Sequence, residues 1–117
     1  MARVSTHVLD TSRGKPAQNV VVDLHFYSNG ERRHLKTAVT NADGRTDDPL
    51  LSGNQIEAGV YELTFHAGDY FRATGVTLTV PPFLDEVVVR FGVADPHGSY
   101  HVPLLLSPYG YSTYKGS

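Results

Sequence analysis

Short β-strand patterns separated by turn-forming residues run along most of the chain and constrain its fold more than any other feature. Apolar and β-branched residues alternate or cluster over residues 4–9, 20–27, 35–40, 59–66 and 86–93. Between them lie combinations such as Arg13-Gly14-Lys15-Pro16, which favour tight turns. Only residues 68–74 permit a helix, and they span two turns at most. The pattern predicts an all-β, two-sheet sandwich of seven or eight strands with one short helix.

A closing hairpin is predicted for the C-terminal part of the chain. An apolar run over residues 102–106 is followed by a Pro-Tyr-Gly turn at 108–110 and by a strand rich in Tyr, Ser and Thr that runs to the last residue. A turn at this point makes the two segments antiparallel.

The register of this hairpin decides which side chains meet. Counting outward from the turn places His101 opposite Gly116 or Ser117, at the spacing of about 5 Å that separates paired residues. A slip of one residue exchanges the two faces of a strand. The sequence therefore leaves open whether Ser117 or Tyr114 shares the face of His101.

Composition excludes several classes of protein. The chain has 117 residues, which is the size of one domain, residues 1–117. The net charge is −2 and the ten Lys and Arg are scattered, so no nucleic-acid partner is predicted. The chain has no cysteine, which rules out disulfides and thiolate metal sites. No segment reaches the ~18 apolar residues of a membrane span, and no export signal is apparent, so we expect a cytoplasmic protein without a membrane partner.

Most of the six histidines have an ordinary structural interpretation. His25 lies within a strand pattern and His66 ends one, so both are expected to be packed or at a rim. His34 and His97 lie beside turns and are expected to face solvent. His97 and His101 are four strand residues apart, about 13 Å, which is too far for two ligands of one ion. No metal is predicted.

His7, Arg45 and His101 are the candidates for chemistry. His7 occupies a strand position where a β-branched or apolar residue would suit a purely structural role better, and His101 interrupts an apolar run. Arg45 presents a planar fork of donors that can hold paired oxygens. Two imidazoles can divide general-base and general-acid work near neutral pH. Ser117 lacks the Gly-x-Ser-x-Gly setting of a nucleophile, so water is the better candidate.

Three segments of this chain resemble the signatures of the 5-hydroxyisourate hydrolases, also called transthyretin-related proteins. They are Ser5-Thr6-His7-Val8-Leu9-Asp10 with the following residues to Ala17, then Gly44-Arg45-Thr46-Asp47, then Tyr100-His101-Val102-Pro103 with the following residues to Ser117. The resemblance covers the whole chain. His7, His101 and the terminal motif together are its most specific part.

The resemblance implies a prealbumin-like sandwich that forms a homotetramer, with active sites at the interface between two dimers. His7, Arg45, His101 and Ser117 correspond to the family's catalytic residues, and Tyr114 belongs to the same terminal motif and to the substrate-binding set. The implied reaction opens the lactam ring of 5-hydroxyisourate, a product of urate oxidation, to 2-oxo-4-hydroxy-4-carboxy-5-ureidoimidazoline. It implies no cofactor.

The resemblance also suggests how the roles divide. His7 helps deprotonate the attacking water, Arg45 holds substrate oxygens, and His101 orients substrate or protonates the leaving nitrogen. The α-carboxylate of Ser117 is expected to favour the protonated form of His101. Lys115, a further substrate-binding candidate, stands where the family usually has arginine. If that arginine contacts substrate, the loss of its fork weakens binding.

Two other classes of protein share parts of this pattern. A transthyretin-like carrier of aromatic ligands shares the Ser-Pro-Tyr-x-Tyr-Ser-Thr segment at residues 107–113, but it has lysine where His7 stands. A non-catalytic sandwich module explains the Asn-Ala-Asp-Gly-Arg turn at residues 41–45 but not His101. The hydrolase is therefore the preferred interpretation.

Overall fold

The computed structural model describes residues 2–117, so Met1 of the predicted domain 1–117 lies outside the described residues. Within that range the chain forms nine strands, one α-helix and a 3₁₀ turn at Gly53–Gln55. The helix, α1, spans Ala67–Ala73, and no helix of the described part is long and apolar enough to cross a membrane. The strands are β1 (Arg3–Asp10), β2 (Lys15–Pro16), β3 (Val21–Ser28), β4 (Glu31–Val39), β5 (Leu51–Ser52), β6 (Gly59–His66), β7 (Glu86–Val93), β8 (Ser99–Ser107) and β9 (Gly110–Thr113).

The strands form two sheets, as predicted. The first sheet has the order β2-β1-β8-β9, with β5 also paired to β1, and the second has the order β4-β3-β6-β7. All strand pairs are antiparallel except β1 and β8, which run parallel. The two strands of two residues, β2 and β5, account for the difference between the nine observed strands and the predicted seven or eight.

Along the strands of the first sheet, side chains alternate between the core face and a more polar face. On β1, Val4 and Val8 are fully buried, and on β8 Leu104 and Leu106 are fully buried. They pack against buried apolar residues of the second sheet, and burial of each such side chain contributes roughly 1.5–3 kcal/mol. Because side chains alternate along a strand, the intervening residues of β1 and β8 lie on the opposite face, where polar groups collect.

Sequence patterns located some strands more accurately than others. The predicted ranges 59–66 and 86–93 coincide with β6 and β7. β4, however, begins at Glu31 and not near residue 35, because its polar first residues pair with the end of β3 from Ser28. β4 is an edge strand of its sheet and these residues are exposed, so an alternating apolar pattern is not required there.

The closing hairpin has one of the two predicted registers. β8 pairs with β9 from Ser107 opposite Gly110 to Leu104 opposite Thr113. The strand ends at Thr113 and does not run to the last residue, but an isolated bridge continues the same register and places Gly116 opposite His101. The Gly116 N–H donates to the carbonyl oxygen of His101 at 2.8 Å. This contact ties the end of the chain to β8.

Candidate active site

A polar cavity of about 450 Å³ lies on the face of the first sheet that points away from the core. Three predicted site residues, Arg45, His101 and Ser117, meet in its wall although they come from distant parts of the sequence. The other residues that line it are Arg3, Ser5, Ser99 and Tyr100. The cavity therefore combines cationic, imidazole and hydroxyl groups beside the end of the chain.

The parallel pairing of β1 with β8 sets the floor of the cavity. In this register Ser5 lies directly opposite His101, and Arg3 lies opposite Ser99. Ser5 Oγ and His101 Nδ1 are 2.9 Å apart and form a hydrogen bond. On this face of the two strands, the Ser5 hydroxyl is therefore the neighbour of the Nδ1 edge of the imidazole.

His7 lies next to Arg45, at the border of the cavity. The two residues form an isolated antiparallel bridge, and the Val8 N–H donates to the Gly44 carbonyl oxygen at 2.8 Å. His7 does not line the cavity itself. A positive charge on His7 would lower the pKa of His101, so the two imidazoles are close enough to interact electrostatically.

A tight turn holds Arg45 against β1. Asn41 Oδ1 accepts hydrogen bonds from the backbone N–H groups of Asp43 at 2.9 Å and Arg45 at 3.3 Å. The Asn41 N–H donates to the carbonyl oxygen of Arg45 at 2.7 Å. Gly44 has φ = +76°, a conformation that glycine adopts without steric cost. The Asn-x-x-Gly-Arg sequence therefore delivers an exposed guanidinium to the cavity from a rigid turn.

The pKa of His101 lies below its ordinary value. Burial of the imidazole is the largest cause, and the positive charges of Arg45 and Arg3, and of His7 when it is protonated, act in the same direction. The expectation that the carboxylate of Ser117 favours protonated His101 is therefore wrong. Desolvation of the imidazole and the neighbouring cations disfavour a positive charge on the ring. His101 is consequently neutral near pH 7.

Tyr114 and Lys115 do not line this cavity. Both line a groove of about 470 Å³ between the two sheets, together with apolar residues such as Val89 and Phe91. Lys115 Nζ is 5.2 Å from the centroid of the Tyr100 ring, which is a cation–π distance. These two predicted substrate-binding residues thus line a groove that adjoins the cavity at Tyr100, whereas Ser117 lines the cavity itself with His101 and Arg45.

Sequence reasoning missed Arg3 and Ser5 as residues of the cavity. Both alternate with buried Val4 on β1, so they share the face that also carries His7. The period-two rule applied outward from His7 would have found them. The contact between Ser5 and His101, in contrast, depends on the pairing of β1 with β8, which no local pattern reveals.

The remaining histidines belong to other parts of the molecule. His66 Nε2 is 2.8 Å from Asp23 Oδ2, and His34 is 3.4 Å from the other oxygen of the same carboxylate. The ring of His25 packs edge-on against that of His34. His97 is exposed, as expected. Within residues 2–117 no group of three or more His, Cys, Asp or Glu side chains is arranged to hold a metal ion.

The cavity has the groups needed for acid–base chemistry on a small polar molecule. A neutral imidazole can accept or deliver a proton near pH 7, and a second imidazole lies close by. The Arg45 guanidinium supplies donors for a carbonyl or oxyanion oxygen. The described residues thus place an imidazole and a guanidinium in one cavity, with a second imidazole nearby.

Comparisons with known proteins identify the family of this chain. The family model described as "HIUase/Transthyretin family" matches residues 4–116. 5-hydroxyisourate hydrolase 2 of Rhizobium meliloti is 56% identical over 98% of this chain and 96% of its own length. The structure of Klebsiella pneumoniae 5-hydroxyisourate hydrolase has a TM-score of 0.79, with 35% identity over 100% of this chain and 94% of that one.

A transthyretin structure has the same fold. The crystal structure of sea bream transthyretin in complex with thyroxine has a TM-score of 0.86, with 31% identity over 98% of this chain and 95% of that one. Fold similarity thus covers both a hydrolase and a transthyretin in complex with thyroxine, while sequence identity is higher to the hydrolases. The match over residues 4–116 includes the turn of Arg45 and the closing hairpin. The chain belongs to the HIUase/Transthyretin family.

Proposed function

We propose that the protein is a 5-hydroxyisourate hydrolase, which opens the lactam ring of its substrate in the degradation of urate. One structural observation carries the proposal: Arg45, His101 and Ser117 meet in a single polar cavity beside His7. The 56% identity over nearly the full length of a hydrolase of that name supports the same activity. Hydrolysis of an amide consumes only water, so the proposed reaction needs no cofactor.

The proposed chemistry divides between the two imidazoles. Water, deprotonated with the help of His7, adds its oxygen to the lactam carbonyl carbon. Arg45 holds the carbonyl oxygen as negative charge develops on it. The carbon–nitrogen bond then breaks, and the leaving nitrogen takes a proton from His101. Because its lowered pKa leaves His101 neutral near pH 7, it can donate only a proton that it has first received, and the proton that His7 takes from water is proposed to reach the leaving nitrogen through His101.

The end of the chain is proposed to complete the site. Ser117 lines the cavity, and the hydrogen bond from Gly116 to His101 brings it there. We assign Ser117 to binding and orientation of the substrate and not to nucleophilic attack. Tyr114 and Lys115 are proposed to bind substrate only if assembly of subunits brings them to a neighbouring cavity, because within one protomer they line a different groove.

The hydrolase is favoured over a carrier of aromatic ligands by the character of the cavity. Its wall includes two arginines, a histidine and the chain end, and is not an apolar sleeve of the kind that drug-sized aromatic ligands usually occupy. The higher sequence identity to hydrolases than to the thyroxine-binding structure points the same way. Charged groups in the wall suit a small polar substrate.

A direct assay tests the activity. 5-Hydroxyisourate is generated fresh from urate, and its ultraviolet absorbance is followed with and without the protein. We expect accelerated decay, and we expect His7→Asn and His101→Asn each to lower turnover by about 10² or more. His97→Asn, at an exposed turn outside the cavity, is the matched control and should keep the wild-type rate. Decay at the spontaneous rate with wild-type protein would favour the carrier instead.

The assembly is proposed to be a homotetramer with active sites between dimers. Two observations support self-association. β7 and β9 each end a sheet and leave an unpaired edge, and large apolar side chains near these edges are exposed, with Phe83 69% and Tyr109 65% accessible. Sedimentation equilibrium at micromolar concentration should yield four times the mass of one chain. A monomer at that concentration contradicts the assembly.

The cytoplasmic location is likewise a proposal, based on the enzyme class. Cell fractionation with an antibody to the protein should recover it with soluble cytoplasmic markers. Recovery in another fraction would contradict it.

A further inference from the structure

The imidazole of His101 is held along both of its edges. On one side Ser5, its direct neighbour across the β1–β8 pairing, places Oγ 2.9 Å from Nδ1. The two residues are 96 positions apart in the chain, so this contact exists only in the folded sheet. The hydroxyl therefore restricts rotation of the ring and occupies one of its two nitrogens.

Gly116 supports the other edge of the ring. A Cβ placed on Gly116 would lie 2.5 Å from Cδ2 of His101 and 3.2 Å from its Cγ, so the glycine backbone packs directly against this edge. The same residue bonds the carbonyl oxygen of His101 through its N–H at 2.8 Å. Any side chain at this position would displace either the ring or the end of the chain.

Together these contacts decide which atom of the ring reaches the cavity. With Nδ1 bonded to Ser5 and Cδ2 against Gly116, the distal Nε2 is the nitrogen left for a ligand. A flipped ring would exchange Nδ1 with Cδ2 and lose the hydrogen bond to Ser5. The geometry thus selects one of the two ring orientations. It also couples the protonation of Nε2 to the hydrogen bond that Nδ1 makes with Ser5.

We propose that Ser5 is a positioning residue of the hydrolase, which acts through His101 by holding its ring between the Ser5 hydroxyl and the backbone of Gly116. This inference rests on the proposed role of His101. Proton transfer requires the imidazole within hydrogen-bond reach of the reacting atom, and displacement by about 1 Å can cost 10²-fold in rate. Ser5 contributes to the rate by preventing that displacement and by keeping Nε2 directed at the cavity.

Removal of the hydroxyl provides the first test. In Ser5→Ala we expect kcat to fall roughly 10- to 100-fold, with KM changed less than about twofold, because ring placement matters most in the transition state. Ser5→Thr keeps a hydroxyl on a strand and should restore most of the rate. Ser28→Ala, at the exposed end of β3 in the other sheet, is the matched control for loss of a serine hydroxyl. A wild-type kcat in Ser5→Ala, with His101→Asn impaired, overturns the inference and leaves the hydrolase assignment in place.

A double-mutant cycle separates positioning from an independent role. If Ser5 acts through His101, adding Ser5→Ala to His101→Asn should lower the rate less than about twofold further, so the two effects are not additive. Full additivity of the two losses would show that Ser5 acts on its own and would overturn the inference.

Nuclear magnetic resonance gives a readout that does not depend on activity. In protein labelled with ¹⁵N-histidine, the Nδ1 and Nε2 resonances of His101, assigned from the His101→Asn spectrum, report the tautomer and the bond at Nδ1. We expect both to move in Ser5→Ala and to return towards wild type in Ser5→Thr. Unchanged resonances in Ser5→Ala would overturn the inference even if the protein proved inactive on 5-hydroxyisourate, an outcome that would refute the proposed function separately.

Discussion

His7 on β1 and Arg45 in the turn after β4 are joined through their backbones in an isolated antiparallel bridge. The bridge lies between the short pairings of β1 with β5 at Arg3 and Val4 and with β2 at Leu9 and Asp10. Two candidate catalytic residues therefore share one rigid edge of the first sheet. The distance between the backbones of His7 and Arg45 is therefore set by the turn and does not depend on the conformation of either side chain.

Gly44, which precedes Arg45, should be intolerant of any side chain. A Cβ there would collide with the carbonyl oxygen of Val8 and lie 3.2 Å from Cδ2 of His7, in addition to the strain of φ = +76°. We expect Gly44→Ala to lower the free energy of unfolding by about 1–3 kcal/mol and to reduce turnover. Urea denaturation and the hydrolase assay measure the two effects.

Gly30 provides the control for this prediction. It has φ = +79°, but a Cβ there would have no atom within 4 Å. Gly30→Ala therefore reports the backbone strain alone and should leave turnover at the wild-type level. Equal effects of the two substitutions on both stability and turnover would contradict a steric requirement at Gly44.

The acid limb of the pH–rate profile should lie below pH 6.5, the ordinary pKa of histidine. Burial, with Arg45, His7 and Arg3, lowers the pKa of His101, so the neutral form persists to a lower pH and is lost as the pH falls through that lowered value. Arg3→Gln removes one cation and should move the limb to higher pH. If the acid limb stays in place or moves to lower pH, it reports the titration of a group other than His101.

Glu62 should contribute to stability through two arginines on the second sheet. It is 4% exposed and accepts hydrogen bonds from Arg90 Nε at 2.8 Å and Arg32 at 3.3 Å. We expect Glu62→Gln to lower the free energy of unfolding at pH 7 by about 1–3 kcal/mol. The control is Glu57→Gln, because the Glu57–Arg33 pair is 3.7 Å long and largely exposed, so its loss should not be measurable.

The effect of Glu62 should depend on pH in a defined direction. Burial alone raises the pKa of Glu62, but the hydrogen bonds from Arg90 and Arg32 outweigh it and bring the pKa below its ordinary value. A lowered folded-state pKa makes the stabilisation complete above the unfolded-state value of about 4.3 and removes it as the pH falls through the folded-state value. The difference between wild type and Glu62→Gln should therefore shrink in acid. If the difference in the free energy of unfolding does not change with pH, it would indicate lost packing instead.

Lys115→Arg should leave KM within about twofold of wild type. Lys115 lies over the ring of Tyr100 in the groove between the sheets, and arginine can keep that cation–π contact. Steady-state kinetics on 5-hydroxyisourate measure the effect. A clearly lower KM would instead indicate that the side chain reaches substrate in a neighbouring subunit.

Local sequence patterns predicted the strands with a clear alternation and failed where no alternation is required. β6 and β7 were predicted to the residue, because each alternates between a buried and a less buried face or is bounded by strong turn residues. The start of β4 was missed, since an exposed edge strand can begin with Glu, Arg and His. The position of the hairpin turn was predicted correctly, but only the pairing of the strands distinguishes Gly116 from Ser117 as the neighbour of His101.

By itself the sequence determined the all-β class, the short helix and the residue types of the site, because alternation, turn chemistry and the terminal motif are local properties of the chain. The tertiary structure alone decided which of these residues meet. β1 and β8 are nearly a hundred residues apart, and their parallel register places Ser5 beside His101. The same fold buries that imidazole among cations, which reverses the pKa direction expected from the chain end. Both outcomes depend on distances and desolvation that arise only when the sheets pack.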